Sequence, residues 1–253
     1  MVVIGVDTGG TFTDFVFREG DRWAFFKILS TPSDPAEAVL AGLRHIATNK
    51  PKQIVHGSTV ATNAILERKG VRTALITNRG FEDVIEIGRQ NRSRLYDLAY
   101  TKQPHIVPAG LRFGVGGRIL FSGEVFEDLD LQSVRKALAK IAENEIESVA
   151  VCLLFSYVNP AHEKKIKDLL DDLDVHVSLS HEIVSEFREY ERTSTTIINA
   201  YVTPKVSRYI ANLAACLQPA DSLRIMQSNG GSISAATASA ESVRTILSGP
   251  AGG

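Results

Sequence analysis

Short apolar runs alternate with amphipathic segments along this chain, which is the pattern of an α/β protein. Three apolar runs open the sequence, at residues 2–6, 12–18 and 22–29, and they predict three consecutive strands. A helix is predicted next, because Asp34 can cap its first turn and Pro35 suits its first position. This order differs from a Rossmann unit, in which a helix follows the first strand directly.

Strands and helices alternate through the middle of the chain. Further strands are predicted at 53–56, 72–77, 148–155, 175–179 and 223–227, and further helices at 60–68, 81–87, 131–143 and from 159 onward. The segment 89–108 predicts a long loop, and 111–121 an extended stretch with a bend. Such alternation indicates a mainly parallel sheet covered by helices on both faces. Residues 187–202 and 204–217 predict two helices, with Thr203 as the cap of the second.

Two domains are predicted from a change of pattern near residue 187, where long helices and small residues begin to dominate. The first covers residues 1–182, and residues 183–253 form the beginning of a second. The final residues, Ser-Gly-Pro-Ala-Gly-Gly, are typical of a loop that leads into another element. We therefore expect the chain to be the N-terminal portion of a longer protein.

Composition removes several classes of function. Hydrophobic residues make up 44% of the 253 residues, charged residues 23%, and the formal net charge is -1. Such a balance offers no overall field for nucleic acid or an anionic membrane, and the longest apolar run, 149–155, is far too short to span one. The two cysteines form no Cys-x-x-Cys pair, so a reducing cytoplasm is expected. The six histidines show no metal-ligand spacing, and no protein-only metal site is expected.

Residues 7–14, Asp-Thr-Gly-Gly-Thr-Phe-Thr-Asp, carry the strongest chemical signal. The two glycines let backbone N–H groups approach a polyphosphate closely, and the threonines add donors. Asp7, at the end of a strand, can bind Mg²⁺ through water or position an attacking group. A tight hairpin turn is the alternative explanation. The helix-opening P-loop is absent, which disfavours a Walker-type ATPase.

This segment resembles the first phosphate loop of the actin, hexokinase and Hsp70 superfamily of ATPases, whose core has a similar order of strands and helices. Residues 56–65, His-Gly-Ser-Thr-Val-Ala-Thr-Asn-Ala-Ile, resemble the signature of the hydantoinase A, 5-oxoprolinase and acetone carboxylase beta-subunit family. Further stretches similar to that family are 79–83, 87–90, 95–98, 186–192, 227–231 and 248–253. The resemblance runs from residue 3 to the last residue.

The resemblance implies a ribonuclease H-like α/β fold, with a mixed sheet, helices on both faces and the start of a second domain. It implies an ATP- and Mg²⁺-dependent hydrolase that phosphorylates the carbonyl of a cyclic amide, such as hydantoin, N-methylhydantoin or 5-oxoproline, and opens the ring. A small cyclic amide or ketone is the implied substrate, and a hydantoinase B-type subunit the implied partner. The candidate catalytic residues are Asp7, also the candidate metal ligand, and Asp14. The residues implied to hold phosphate oxygens are Gly9, Gly10, Thr11 and Thr13.

Polar residues after the predicted strand at 53–56 are candidates for binding substrate. They are Ser58, Thr59, Thr62 and Asn63, at the start of a helix where ligands often bind. Capping of that helix by Ser58 or Thr59 is an equally good explanation. His56 is more typical of a satisfied core histidine than of a catalyst.

Arginines in the predicted loop could receive a carboxylate or phosphate of the substrate. Arg89 is the candidate; a solvated loop is the simpler explanation for Arg92 and Arg94. In the segment 186–192, opposite charges at i,i+3 and i,i+4 favour a salt-bridged helix face. A role in a cleft for Arg188, Glu189 or Arg192 rests on the resemblance alone.

Other functions remain open on the same fold. An ATP-dependent ketone carboxylase subunit is the main alternative, and a non-catalytic binding module is one from another class. A sugar kinase would share the superfamily, but nothing past residue 50 resembles one. The superfamily builds its nucleotide site between two domains and this chain has one clear phosphate loop, so the chain by itself is expected to bind ATP weakly or not at all.

Overall fold

A computed structural model of the chain describes residues 1–31, 34–46, 48, 50–91, 96, 97, 99 and 101–248. The strands are β1 (Val2–Thr8), β2 (Phe12–Glu19), β3 (Arg22–Leu29), β4 (Lys52–Ser58), β5 (Thr73–Asn78), β6 (Arg112–Val115), β7 (Arg118–Ile119), β8 (Val125–Glu127), β9 (Ser148–Cys152), β10 (His176–Leu179), β11 (Ser222–Met226) and β12 (Ser232–Ser234). The helices are α1 (Pro35–His45), α2 (Val60–Leu66), α3 (Val84–Ile87), α4 (Leu131–Glu143), α5 (Ala161–Leu170), α6 (Ser180–Ile183), α7 (Glu189–Ala215) and α8 (Ala235–Ala240). No helix in the described ranges is both long and apolar enough to cross a membrane.

The chain divides into two compact units, one made of residues 1–70 and 202–253, the other of residues 71–201. The first unit therefore combines both ends of the sequence. This division is not the predicted boundary between residues 182 and 183, which stays a prediction about domains.

The first unit is built on a six-stranded sheet in the order β12-β11-β4-β1-β2-β3. The first three strands form an antiparallel meander, while β4 lies parallel to β1, and β11 parallel to β4. The sheet is therefore mixed, and the predicted α/β class with a mixed sheet is confirmed. Because β1 and β4 are parallel, their carboxyl ends meet at one edge, beside the turn between β1 and β2.

Helix α1 packs against the meander at Gly42, next to the stacked rings of Phe15 and Phe26. Asp34 caps the helix as predicted and accepts a 3.0 Å hydrogen bond from the Ala36 N–H. Phe15 is 1% exposed and stacks on Phe26 with ring centroids 4.7 Å apart. A Cβ on Gly42 would lie 2.0 Å from the Phe15 ring, so this close approach of helix and strand requires glycine.

The second unit contains a separate, all-parallel sheet in the order β10-β9-β5-β6. Every residue of β5 and β9 is buried, as expected for central strands of a parallel sheet. The predicted mainly parallel sheet is thus divided in the structure among the mixed sheet, this all-parallel sheet and a two-stranded sheet of β7 and β8. Alternation along the sequence shows that strands exist, but the pairing between distant strands assigns each one to a sheet.

The prediction of two helices between 187 and 217 is also wrong, since α7 continues through Pro204. A proline inside a helix costs about 3 kcal/mol. Here the residues on both sides, Val202 and Val206, are at most 3% exposed, and their burial offsets that cost. Thr203 is not a cap: it lies within the helix, and its hydroxyl has no hydrogen-bond partner among the described residues.

Candidate functional site

The turn between β1 and β2 is closed by its own backbone. The Gly9 N–H donates to the Phe12 carbonyl over 3.0 Å, and a Cβ on Gly9 would lie 3.3 Å from that oxygen. A Cβ on Gly10 would have no neighbour within 4 Å, so Gly10 faces open space. Two of the residues expected to hold phosphate therefore form an accessible backbone turn.

The two threonines of the same segment differ in their surroundings. Thr11 is exposed, whereas Thr13 is 0% exposed and its hydroxyl lies 3.0 Å from that of Ser30. Ser30 donates its own proton to the Gly9 carbonyl over 2.8 Å, so Thr13 is the donor in the pair. Thr13 therefore supports the turn from its buried side, through the hydrogen bonds that link it to Ser30 and Ser30 to Gly9.

A cavity of about 420 Å³ lies on the sheet face that carries the two aspartates. Asp7 and Asp14 are direct partners across β1 and β2, and Lys27 lies 3.4 Å from the Asp14 carboxylate. Burial, together with the charge of Asp14, raises the pKa of Asp7. One oxygen of Asp7, Oδ1, is buried without a hydrogen-bond partner among the described residues.

A second cavity, of about 510 Å³, brings together residues from both predicted groups. Gly9 and Gly10 line it beside Thr59 and Asn63 from the start of α2. The Thr59 hydroxyl donates to the Thr8 carbonyl over 3.1 Å, which ties α2 to the end of β1. Asp7 lines the other cavity, because successive residues of a strand point to opposite faces of the sheet.

The other two polar residues of this group have structural partners. Ser58 is 6% exposed, and its hydroxyl accepts the Val60 N–H over 3.2 Å, which is the capping role considered for it. Thr62 accepts the Leu247 N–H over 2.9 Å. Ser58 thus accepts the first N–H of α2, while Thr59, the N-cap residue, makes no side-chain capping hydrogen bond and lines the cavity.

His56 is a core residue with both ring nitrogens engaged. It is 0% exposed, with Nδ1 lying 3.3 Å from the Val6 carbonyl and Nε2 lying 2.6 Å from the Tyr209 hydroxyl. Nδ1 must carry the proton to pair with a carbonyl, so Tyr209 donates to Nε2. Burial lowers the pKa of His56 to about 4 and raises the pKa of Tyr209. The histidine is therefore neutral near pH 7.

Outside the segment 7–14, sequence reasoning missed five polar residues that line the cavity with Gly9 and Gly10. They are Ser30, Thr31, Glu67, Lys69 and Lys205. Ser30 and Thr31 follow the strand that pairs with β2, and the meander pattern gives a weak signal for them. Lys205 lies almost 200 positions from the turn, and no local pattern connects the two.

In the second unit, Arg89 forms an ion pair with Glu191, the Nε–Oε1 distance being 2.5 Å. A backbone hydrogen bond and the Arg89 guanidinium lower the pKa of Glu191. Arg89 is 59% exposed, so this pair does not bury its charge. Arg92 and Arg94 lie outside the described residues, as do Leu95, Leu98 and residues 249–253.

Arg192 is the most deeply buried charged residue of the segment 186–192. It is 0% exposed and donates to the Glu189 carboxylate over 2.6 Å and to the Leu153 carbonyl over 2.5 Å. Its other terminal nitrogen donates to the hydroxyls of Ser156 and Ser180. The i,i+3 ion pair predicted from the sequence is present, and it fastens the start of α7 to the end of β9 inside the protein.

No cluster of three or more His, Cys, Asp or Glu residues that could hold a metal ion occurs in the part of the chain that the structure describes. An ion at Asp7 and Asp14 would therefore need further ligands, such as water or substrate oxygens.

Two family models match the chain. The hydantoinase/oxoprolinase N-terminal region matches residues 3–173, and the hydantoinase/oxoprolinase model matches residues 192–253. The alpha subunit of caprolactamase from Pseudomonas jessenii is 36% identical over 98% of this chain, which covers 38% of that protein. The 5-oxoprolinase of Dictyostelium discoideum is 29% identical over 100% of this chain and 23% of that protein.

Solved structures agree with the sequence comparisons. The crystal structure of the ATP-dependent caprolactamase of P. jessenii superposes with a TM-score of 0.86 at 34% identity, over 98% of this chain and 39% of that one. A nucleotide-free acetone carboxylase superposes with a TM-score of 0.85 at 28% identity, over 99% of this chain and 39% of that one. The chain thus spans about two fifths of the length of these two structures. With its N-terminal match over more than half its residues, the chain belongs to the hydantoinase/oxoprolinase family.

Proposed function

We propose that this chain holds the phosphates of ATP in an enzyme that opens cyclic amides. One observation carries the proposal: the open turn at Gly9 and Gly10 shares a cavity with Thr59 and Asn63. Because the Gly9 N–H already donates to the Phe12 carbonyl, the Gly10 N–H is the group of this turn that suits a phosphate oxygen, and the neighbouring side chains could contact the acceptor of the phosphoryl group. The relatives named caprolactamase and 5-oxoprolinase support a cyclic amide as that acceptor.

The chemistry proposed is activation of the amide by phosphoryl transfer. The amide oxygen attacks the γ-phosphorus of ATP, the bond to ADP breaks, and the phosphorylated amide carbon becomes open to water. Addition of water, cleavage of the ring C–N bond and loss of phosphate then give the ring-opened amino acid. The chain's own contribution is to orient the phosphates beside the acceptor.

Asp7 and Asp14 would hold a Mg²⁺ ion in the other cavity, on the opposite face of the sheet from Gly9 and Gly10. Carboxylate oxygens are the ligands this ion prefers, and Asp7 Oδ1 has no hydrogen-bond partner among the described residues. Burial and the charge of Asp14 raise the pKa of Asp7, because both disfavour its ionised carboxylate. A cation bound there would favour the ionised form of both carboxylates. We assign the catalytic role of both residues to this ion.

We also propose a partner subunit of the hydantoinase B type, since caprolactamase is named as a subunit among the relatives. The substrate-binding roles of Thr59, Asn63 and Arg89, and the domain division at residues 182 and 183, belong to the same proposal. The two free cysteines, Cys152 and Cys216, support a cytoplasmic location.

Asp7→Asn in the protein combined with its B-type subunit tests the proposal. ATP hydrolysis that depends on 5-oxoproline, hydantoin or caprolactam should be abolished, while Asp21→Asn, at an exposed site of the next turn, should leave it unchanged. Full activity of the Asp7→Asn variant would refute the catalytic role assigned to Asp7. Hydrolysis of ATP that no cyclic amide stimulates would contradict the proposed substrate class.

A ketone carboxylase is the second candidate, because the acetone carboxylase structure matches almost as well as the caprolactamase structure. Turnover of acetone or acetophenone that requires bicarbonate, with no response to cyclic amides, would favour it. The two reactions share activation of a carbonyl oxygen and differ in whether water or a carboxyl donor reacts next.

A further inference from the structure

In the cavity at the β1–β2 turn, few hydroxyl groups are free to donate a hydrogen bond to a polyanion. Three of its four hydroxyl groups donate to the protein itself: Ser30 to the Gly9 carbonyl, Thr31 to the Asp34 carbonyl and Thr59 to the Thr8 carbonyl. The fourth, that of Thr8, is a buried oxygen without a hydrogen-bond partner among the described residues. A hydroxyl has one proton, so towards the cavity the hydroxyls of Ser30, Thr31 and Thr59 can only accept hydrogen bonds. Phosphate oxygens also only accept, and these hydroxyls therefore cannot bind them as donors.

The charged residues of the cavity lining are Glu67, Lys69 and Lys205. The Lys69 ammonium lies 2.7 Å from the Glu67 carboxylate, so these two charges neutralise each other. Lys205 has no ion-pair or hydrogen-bond partner among the described residues, and it is partly buried. The uncompensated charge of the lining is therefore that of Lys205.

The position of Lys205 is fixed by the helix that carries it. Helix α7 continues through Pro204, and the neighbours Tyr201, Val202 and Val206 are buried. A lysine stem on such a helix can place its ammonium group at one point of the cavity with a small loss of side-chain freedom. A surface lysine on a loop would lose more.

We propose that Lys205 is the cationic residue that binds the phosphate chain of ATP in this cavity. The inference rests on the proposed function, because it takes the cavity as the phosphate site, and it names the residue that supplies the charge. The ligand class is a linear polyphosphate, whether free or part of a nucleotide. Lys205 would bind the polyphosphate as a point charge, and the Gly10 turn would donate a backbone hydrogen bond to it.

Inorganic tripolyphosphate is the probe that tests this role without catalysis. We would titrate it into the ¹⁵N-labelled chain at low ionic strength and follow the amide signals of Gly10 and Asn63, a method that also measures weak binding. Lys205→Ala should weaken binding about tenfold, the loss expected for one charged contact, and Lys205→Arg should restore most of it. The difference should shrink as salt is added.

Arg208→Ala is the matched control, since Arg208 is an exposed cation three residues further along α7 and does not line the cavity. It should leave binding unchanged; an equal loss in both variants would replace the proposal with a general charge effect. Gly10→Asp, a substitution for which there is space, should abolish binding by adding a negative charge to the turn.

The outcomes separate the two proposals. If Gly10→Asp abolishes binding while Lys205→Ala does not weaken it, the phosphate site stands and the role of Lys205 is refuted. If neither variant changes the binding of tripolyphosphate, or the unaltered chain does not bind it, the proposed phosphate site fails and Lys205 with it. Unchanged amide spectra apart from local shifts show that each variant is folded.

Discussion

Replacing His56 by Gln should remove a specific part of the acid sensitivity of the first unit. His56 is 0% exposed, and burial lowers its pKa to about 4, whereas in the unfolded chain it has its ordinary value of 6.5. Between these values the unfolded chain binds a proton that the folded chain rejects. Stability is therefore lost as the pH falls from about 6.5 to about 4.

The size of the loss follows from the two pKa values. Each unit of difference corresponds to about 1.4 kcal/mol, so His56 alone removes about 3 kcal/mol of unfolding free energy between pH 7 and pH 4. A glutamine can still donate to the Val6 carbonyl and accept from Tyr209, but it does not titrate. The variant should lose less stability than the unaltered protein on acidification, whatever its stability at pH 7.

Urea unfolding at several pH values measures this difference. The one tryptophan, Trp23, lies in the same unit as His56, so its fluorescence reports the unfolding of that unit, with circular dichroism as a second probe. His45→Gln, at an exposed histidine, is the control and should keep the pH dependence of the unaltered protein. A stability difference between the unaltered protein and His56→Gln that stays constant from pH 7 to pH 4 would refute the reasoning.

Three further changes should alter stability by amounts that the packing sets, each measured by denaturant unfolding. Gly42→Ala should cost about 1–3 kcal/mol, because its Cβ would meet the buried Phe15 ring at 2.0 Å; a neutral result would show that the ring moves freely. Asp34→Ala should cost about 1 kcal/mol through loss of the cap of α1, and Asp34→Asn should restore most of it. Arg192→Leu should cost about 3 kcal/mol or more, since it leaves Glu189 and several hydrogen-bond acceptors without their donor, whereas Lys140→Ala, which breaks an exposed i,i+3 pair, should change stability by less than about 0.5 kcal/mol. Equal effects of these last two changes would contradict the distinction between buried and exposed pairs.

Local signals in the sequence predict much of the secondary structure. The cap at Asp34, the proline after it and the helical spacing of apolar residues predict α1, and the helix predicted at 131–143 coincides with α4. These elements follow from interactions between residues a few positions apart, which the sequence displays directly. Motifs at 7–14 and 56–65 also indicate the family, which the comparisons confirm.

Burial of individual strand residues is less visible in the sequence. Phe25 and Phe26 are neighbours of one residue type in β3, yet Phe25 is 84% exposed and Phe26 stacks on Phe15. Both faces of that strand carry large apolar residues, so alternation does not indicate which face packs against α1. The pairing register of the meander decides which face of β3 is buried.

Sequence alone therefore determined the elements whose causes are local, together with the turn between β1 and β2 and the family. Tertiary structure decided which strands share a sheet, that α7 continues through Pro204, and that Ser58 accepts the first N–H of α2 while Thr59 lines a cavity. It also placed Lys205 in the same cavity as Gly10, and Asp7 in the cavity on the opposite face of the sheet. The physical reason is the same throughout: these outcomes depend on contacts between residues far apart in the chain, where burial and pairing outweigh local preference.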